Sequence, residues 1–162
     1  MKIAILSDTH GNVETTSKAV ELLKEQSVRV AFHCGDICGQ HIVEMLSEWD
    51  VHYVYGNCDI PSDMEWAIQM HRGNDHGLFA EITLDDRKIG MLHGHETNRL
   101  REAINSGKYD YLFHGHTHQI RDEKIGSTRV INPGALHRAQ TYTFAILDLK
   151  KDELKLIEVP SS

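Results

Sequence analysis

Between Lys2 and Arg72 a short apolar run ends three times in a polar loop, and each time a segment with helical spacing follows. The first run, Lys2 to Ser7, stops at Asp8-Thr9-His10-Gly11; from Asn12 to Gln26, residues Val13, Ala19, Val20, Leu22 and Leu23 then recur near the helical period, with Asn12 as the cap. Val28 to His33 predicts a second strand, Cys34 to Gly39 a loop, and Gln40 to Trp49 a helix. Val51 to Tyr55 predicts a third strand, and Pro61 opens a weaker helix reaching Arg72. Strands that alternate with helices need a parallel sheet with right-handed crossovers, which puts the chain in the α/β class.

After Gly77 the pattern changes to short strand-like runs: Leu78 to Leu84, Lys88 to Leu92, Tyr109 to Phe113, Arg129 to Ile131, Tyr142 to Leu149 and Leu154 to Val159. Only Asn98 to Ser106 reads as a helix there, while Asp85-Asp86 and Lys151-Asp152 read as hairpin turns. This half is expected to form antiparallel or mixed sheet. With no repeat, linker or low-complexity stretch, residues 1–162 are expected to make one domain in which two sheets lie face to face.

Hydrophobic residues at 40% and charged residues at 25% exclude a disordered tail or a coiled-coil rod. The 17 Lys and Arg against 24 Asp and Glu leave a formal charge of -7, which argues against strong nucleic-acid binding. Bound cations would cancel some of that charge locally, so a phosphate-bearing substrate stays in play. Cys34, Cys38 and Cys58 form neither an even set nor a CxxC pair, and no charged-then-apolar leader opens the chain, so the expected location is the cytoplasm. No apolar run approaches the roughly 18 residues of a membrane span.

The twelve histidines are the compositional anomaly. Open α/β sheets bind ligands beyond the carboxyl ends of their strands, and the residues there share one chemistry. Asp8 and His10, Gly35-Asp36, Gly56-Asn57, His93-Gly94-His95 and Gly115-His116-Thr117-His118 all offer oxygen or imidazole donors. In extended backbone the i, i+2 pairs Asp8/His10 and His116/His118 send both side chains to one side. The neighbouring glycines let the loops approach a common centre. Gly35-Asp36 or Gly56-Asn57 alone reads as a turn and Asp8/His10 reads equally well as a turn and cap, whereas two imidazoles beside Gly115 after an apolar strand have little packing rationale; five donor loops, each after a predicted strand, decide for a site. Asp8, His10, Asp36, Asn57, His93, His116 and His118 are too many donors for one four-coordinate ion, whereas two ions sharing the Asp36 carboxylate account for them. Imidazoles mixed with hard oxygens suit manganese, with iron, zinc, nickel or cobalt as alternatives.

The pattern D-x-H, G-D, G-N, a later H and G-H-x-H resembles the calcineurin-like metallophosphoesterase superfamily, and the short length is most similar to its small prokaryotic YfcE-type phosphodiesterases. The likeness runs from Asp8 to His118, and the Asn132-Pro133-Gly134 turn after it also fits. It implies a four-layer α/β/β/α sandwich with two mixed β-sheets. It further implies that Asp8, His10, Asp36 and His118 hold one metal and Asp36, Asn57, His93 and His116 the other. The reaction so implied is direct attack on the phosphorus of a small-molecule phosphate ester by a metal-bound water or hydroxide.

One position departs from the family. Where many members carry histidine after the Asn, as acid for the leaving oxygen, this chain has Cys58, followed by Asp59 without its usual imidazole partner. His95 is then the candidate general acid, and Cys58, His95 and Arg138 are the candidate substrate contacts. His33 and His114 are expected to be buried behind the ligands, and His41, His52, His71 and His76 to lie on the surface. Trp49 and Trp66 read as core or interface anchors. Two other readings remain: a phosphomonoesterase, and a non-catalytic scaffold such as the retromer subunit that shares the family's fold. Strand edges and apolar faces leave room for a homo-oligomer.

Overall fold

A computed structural model describes residues 1–161. Two sheets pack face to face. The first has six strands in the order β11-β10-β1-β2-β3-β4, formed by β1 (Lys2–Leu6), β2 (Val30–His33), β3 (Asp50–Tyr53), β4 (Asn74–Asp75), β10 (Tyr142–Asp148) and β11 (Glu153–Val159). The second has five in the order β5-β6-β7-β9-β8, formed by β5 (Phe79–Leu84), β6 (Arg87–Leu92), β7 (Tyr111–Phe113), β8 (Arg121–Ile125) and β9 (Thr128–Asn132). Both are mixed: β1 to β4 run parallel while β10 and β11 are antiparallel, and β6, β7 and β9 run parallel between antiparallel edges.

The period-two alternation of each strand divides the core. Ile3, Ile5, Val30 and Phe32 of the first sheet meet Ile89, Met91, Tyr111, Phe113 and Ile131 of the second, giving one shared inter-sheet core. Ala4, Leu6 and Ala31 turn the other way, onto α1 (Val13–Lys24), α2 (Gln40–Met45) and α3 (Pro61–Met70). Leu92, Leu112 and Val130 turn onto α4 (Thr97–Asn105). The result is the expected four-layer α/β/β/α sandwich. Among the described residues no helix is long and apolar enough to cross a membrane.

The local expectations hold in most places. Asn12 Oδ1 caps α1 by accepting the Thr15 amide at 3.1 Å, and Pro61 opens α3. Asp85 and Asp86 both have positive φ, as a two-residue type I′ hairpin requires. Three readings need correction. Helix α2 ends at Met45 and not Trp49, because Ser47 and Trp49 donate to carbonyls only three residues back and the chain tightens into turns. Strand β8, Arg-Asp-Glu-Lys-Ile, escapes the apolar pattern because it is a charged edge strand. His52 and His76 are half-buried instead of superficial: their ring nitrogens lie 2.9 Å apart, and His52 stacks on Phe32 at 5.0 Å. Trp49 packs against the helix-side core, whereas Trp66 is mostly exposed.

Candidate metal centre

Parallel strands from the two sheets end on the same side of the sandwich, and the loops that follow them meet there. The β1 and β2 loops run side by side, the amides of Asp8, His10 and Gly11 donating to the carbonyls of Gly35, Asp36 and Ile37 at 3.1, 3.0 and 2.9 Å. The sheets are tied across the gap by His116 N–H to Asp8 Oδ2 at 3.1 Å and by His93 Nδ1–H to the Cys34 carbonyl at 2.8 Å. Close approach needs missing side chains. A Cβ on Gly56 would lie 2.1 Å from Asp36 Oδ1, and one on Gly115 would lie 1.9 Å from Ser7 Oγ.

Six of the seven sequence-predicted donors converge in two trios, Asp8/His10/His118 and Asp36/His93/His116, each with its donor atoms within 4.8 Å of one another. His10 links the trios, its Nε2 lying 3.5 Å from Asp8 Oδ1 and 3.4 Å from Asp36 Oδ2. His118 Nε2 is 3.2 Å from Asp8 Oδ1, and His93 Nε2 is 3.2 Å from Asp36 Oδ2. Asn57 stands on the loop beside the second trio, its amide nitrogen 3.7 Å from Cys58 Sγ. His95 lies next to that trio, ring centroids 5.5 Å from His93 and 6.3 Å from His116. Arg138 adjoins the first trio through its backbone, whose carbonyl accepts from His118 Nδ1–H at 3.1 Å.

Each carboxylate has one oxygen fastened and one facing the imidazoles. Asp8 Oδ2 accepts from Ser7 Oγ at 2.6 Å, and Asp36 Oδ1 accepts from the Cys58 amide at 2.9 Å. Asp8 Oδ1 and His93 Nε2 are buried and have no hydrogen-bond partner. Orphaned buried acceptors cost roughly 1–3 kcal/mol each unless something absent from the protein atoms satisfies them. Asp8, His10, Asp36, His116 and His118 also all adopt positive φ, so the Asp8/His10 and His116/His118 pairs converge from tight left-handed turns and not from the extended backbone expected of them; the conformation costs a non-glycine residue of order 1 kcal/mol or more and concentrates at functional sites. Burial works to raise the Asp8 and Asp36 carboxyls, but hydrogen bonds and the neighbouring imidazoles hold both below the usual range, so both are ionised at neutral pH. The backbone acceptors of His93 and His118 take Nδ1–H and leave Nε2 as the free lone pair. The residues therefore fit a pair of divalent cations in donor type, charge and unsatisfied valence.

Residues 1–152 match the calcineurin-like phosphoesterase superfamily domain. The chain belongs to that superfamily. It is 33% identical to phosphodiesterase MJ0936 of Methanocaldococcus jannaschii over 97% of this chain and 98% of the relative. A solved structure described as a novel archaeal phosphodiesterase superposes with a TM-score of 0.89 at 33% identity, covering 98% of this chain and 99% of that one. The Escherichia coli phosphoesterase YfcE gives a TM-score of 0.71 at 22% identity, covering 99% and 100%, which shows the shared fold.

The Asp that follows Cys58 works on the backbone. Asp59 Oδ1 accepts the amides of Ile37 and Cys38, and Oδ2 accepts those of Asp36 and Gly56, at 2.8–2.9 Å. It clamps the β2 loop to the β3 loop. Asn132 performs the same task elsewhere, donating through Nδ2 to the Gly115 carbonyl and Thr117 Oγ1 at 3.1 Å. Behind the ligands, His33 accepts the Gly35 amide on Nδ1 and donates from Nε2 to Thr9 Oγ1 at 3.0 Å, and His114 donates to the Gly115 carbonyl. Burial holds both imidazoles down to about 4, so they are neutral props, as expected. His137 went unread in the sequence. Its ring lies 5.3 Å from His10, and Asn12 Nδ2 donates to its Nδ1 at 3.3 Å, leaving Nε2–H as the other ring position.

Proposed function

We propose that this chain is a phosphodiesterase that uses two divalent cations, manganese first among them, held by Asp8, His10, Asp36 and His118 on one side and by Asp36, Asn57, His93 and His116 on the other. One observation carries the reading: two ionised carboxylates present free oxygens to three imidazoles, those of His10, His93 and His118, at 3.2–3.5 Å with no protein donor between them. When bound, the ions would acidify a water for attack on phosphorus and neutralise charge on the phosphoryl oxygens. Two carboxylates against two divalent ions leave a net charge of about +2, which favours a phosphate ester over a neutral ester or amide.

The protein's own groups supply orientation and protons. Ser7, the His116 amide and the Cys58 amide hold the carboxylates, so their free oxygens need no reorganisation during reaction. Arg138, exposed beside His118, would offer its guanidinium fork to a phosphate oxygen. His95 is the candidate acid for the leaving oxygen, but one without a close orienting partner: its Nδ1 is buried with no hydrogen bond, and its Nε2 is 3.8 Å from Glu96, so the leaving oxygen departs with little help. Burial and the charge of Asp36 raise the Cys58 thiol, which argues against a covalent thiolate route and for direct attack.

The relatives' names favour the diester over the monoester, and the intact donor set disfavours a pure scaffold. The free cysteines fit a reducing cytoplasm. Assay of a bis(nitrophenyl) phosphate and a nitrophenyl monophosphate with added Mn²⁺ tests the proposal. Diester turnover should dominate; monoester turnover alone would shift the assignment, and no turnover of either would favour the scaffold.

A further inference from the structure

A third group of donors shares His10 with the first trio and adds two sulfurs that neither trio uses. A ring nitrogen of His10, Cys38 Sγ and Cys58 Sγ all lie within 4.8 Å of one another. Cys38 Sγ is 3.8 Å from His10 Nδ1, the nitrogen opposite the one that faces Asp8 and Asp36, and 3.7 Å from the Cys58 carbonyl. The two sulfurs come from different loops, β2 and β3, which Asp59 locks together through four amides. Their separation is thus set by the clamp that also positions Asp36.

We propose that Cys38, Cys58 and His10 Nδ1 form a separate site for a thiophilic cation of the zinc or cadmium class. The donor chemistry differs from that of the neighbouring centre, which is built of carboxylates and imidazoles without sulfur; two thiols and an imidazole select a softer ion. Tetrahedral zinc with bonds of about 2.3 Å needs its ligand sulfurs ~3.8 Å apart, so the observed grouping closes with a movement of about 1 Å or less. Three protein ligands leave a fourth position, and it opens onto a cavity lined by Cys38, Gly39, His41, Cys58, Ile60 and Met64, the last a buried thioether. Cys58 is exposed, which gives the ion a route in. Because His10 also faces the carboxylates, an ion here shares its imidazole with the proposed catalytic pair and competes for its orientation.

Cadmium titration of the manganese-loaded protein, followed by sulfur-to-cadmium charge-transfer absorption, reads this site without reference to hydrolysis. One equivalent should saturate the band. Cys38→Ser and Cys58→Ser should each weaken cadmium binding by more than about tenfold, since even outer-shell losses cost that much, while Cys34→Ala keeps the band. Absence of the band in the unsubstituted protein, or a band unchanged by both serine substitutions, would overturn the proposal. So would a protein isolated without reductant that lacks two thiols and two mass units, because the pair would then be a disulfide. Failure of diester hydrolysis would leave these readings untouched, so the two proposals fail separately.

Discussion

The carboxylate of Asp59 receives the backbone N–H of Asp36 at 2.9 Å, so the residue after the departing Cys58 fastens the loop that carries the central aspartate. Asp59→Ala strands four amides in a half-buried loop. It should lower unfolding stability by on the order of 3 kcal/mol and weaken metal binding, given that bonds to a charged acceptor contribute about 1.5–3 kcal/mol each and do not add fully. Urea unfolding with a metal titration on the same preparation checks this. A variant with unchanged stability and affinity would mean the clamp is incidental.

Close packing between loops gives an independent handle. Gly56→Ala puts a methyl 2.1 Å from Asp36 Oδ1 and 2.6 Å from the Asp36 amide, both parts of a fixed loop. The expected loss is about 1–3 kcal/mol, the usual cost of overpacking, together with displacement of Asp36. Calorimetric binding of Mn²⁺ should show reduced affinity or stoichiometry in this variant; full retention of both would contradict the packing argument.

Cys58 in place of an imidazole predicts a reaction that depends on its leaving group. Hydrolysis of diesters with graded phenol leaving groups should slow steeply as the phenol becomes less acidic. Cys58→His should recover about tenfold on the poorest leaving groups, short of the roughly 10²–10⁴ of a positioned acid, because Asp59 is engaged with amides and cannot orient the new ring. A flat dependence with chemistry rate-limiting would show that an acid already serves the leaving oxygen.

His33 makes stability depend on pH. Burial depresses its folded-state value to about 4, against about 6.5 for an unfolded histidine. As pH falls through about 6.5 the unfolded chain takes up a proton that the folded chain refuses, so stability drops between about 6.5 and about 4 and is level above. In metal-free protein, His33→Gln should lose part of the stability difference between about pH 7.5 and about pH 5 seen by urea unfolding. Identical pH dependence in the two proteins would place the titration elsewhere.

How much of this was readable beforehand follows from where each signal resides. The donors were legible because strand ends announce themselves as apolar runs and because Asp, Asn and His beside glycine stand out locally. The two sheets followed from alternation in residues such as Ile3/Ala4/Ile5/Leu6, whose faces go to different cores. The clamp by Asp59 was not legible, since three of its four partners are backbone amides on the preceding loop, at residues 36–38, and amides leave no mark in a sequence. His137 was missed because no donor pair or strand end flags it; only the turn at Asn132-Pro133-Gly134 and the chain's return toward β10 bring it beside His10. The Cys38–Cys58 proximity was hidden for the same reason, being set by the pairing of loops rather than by spacing.

The central claim is that two cations are held by side chains from both sheets, and metal counting on purified protein tests it most directly. Protein reconstituted with Mn²⁺ and passed through a desalting column should carry about two equivalents per chain, fall to about one in His118→Gln or His93→Gln, and lose diester hydrolysis on exhaustive chelation, with recovery on Mn²⁺ return. Hydrolysis that survives complete metal removal, or a stoichiometry unaltered by both substitutions, would contradict it.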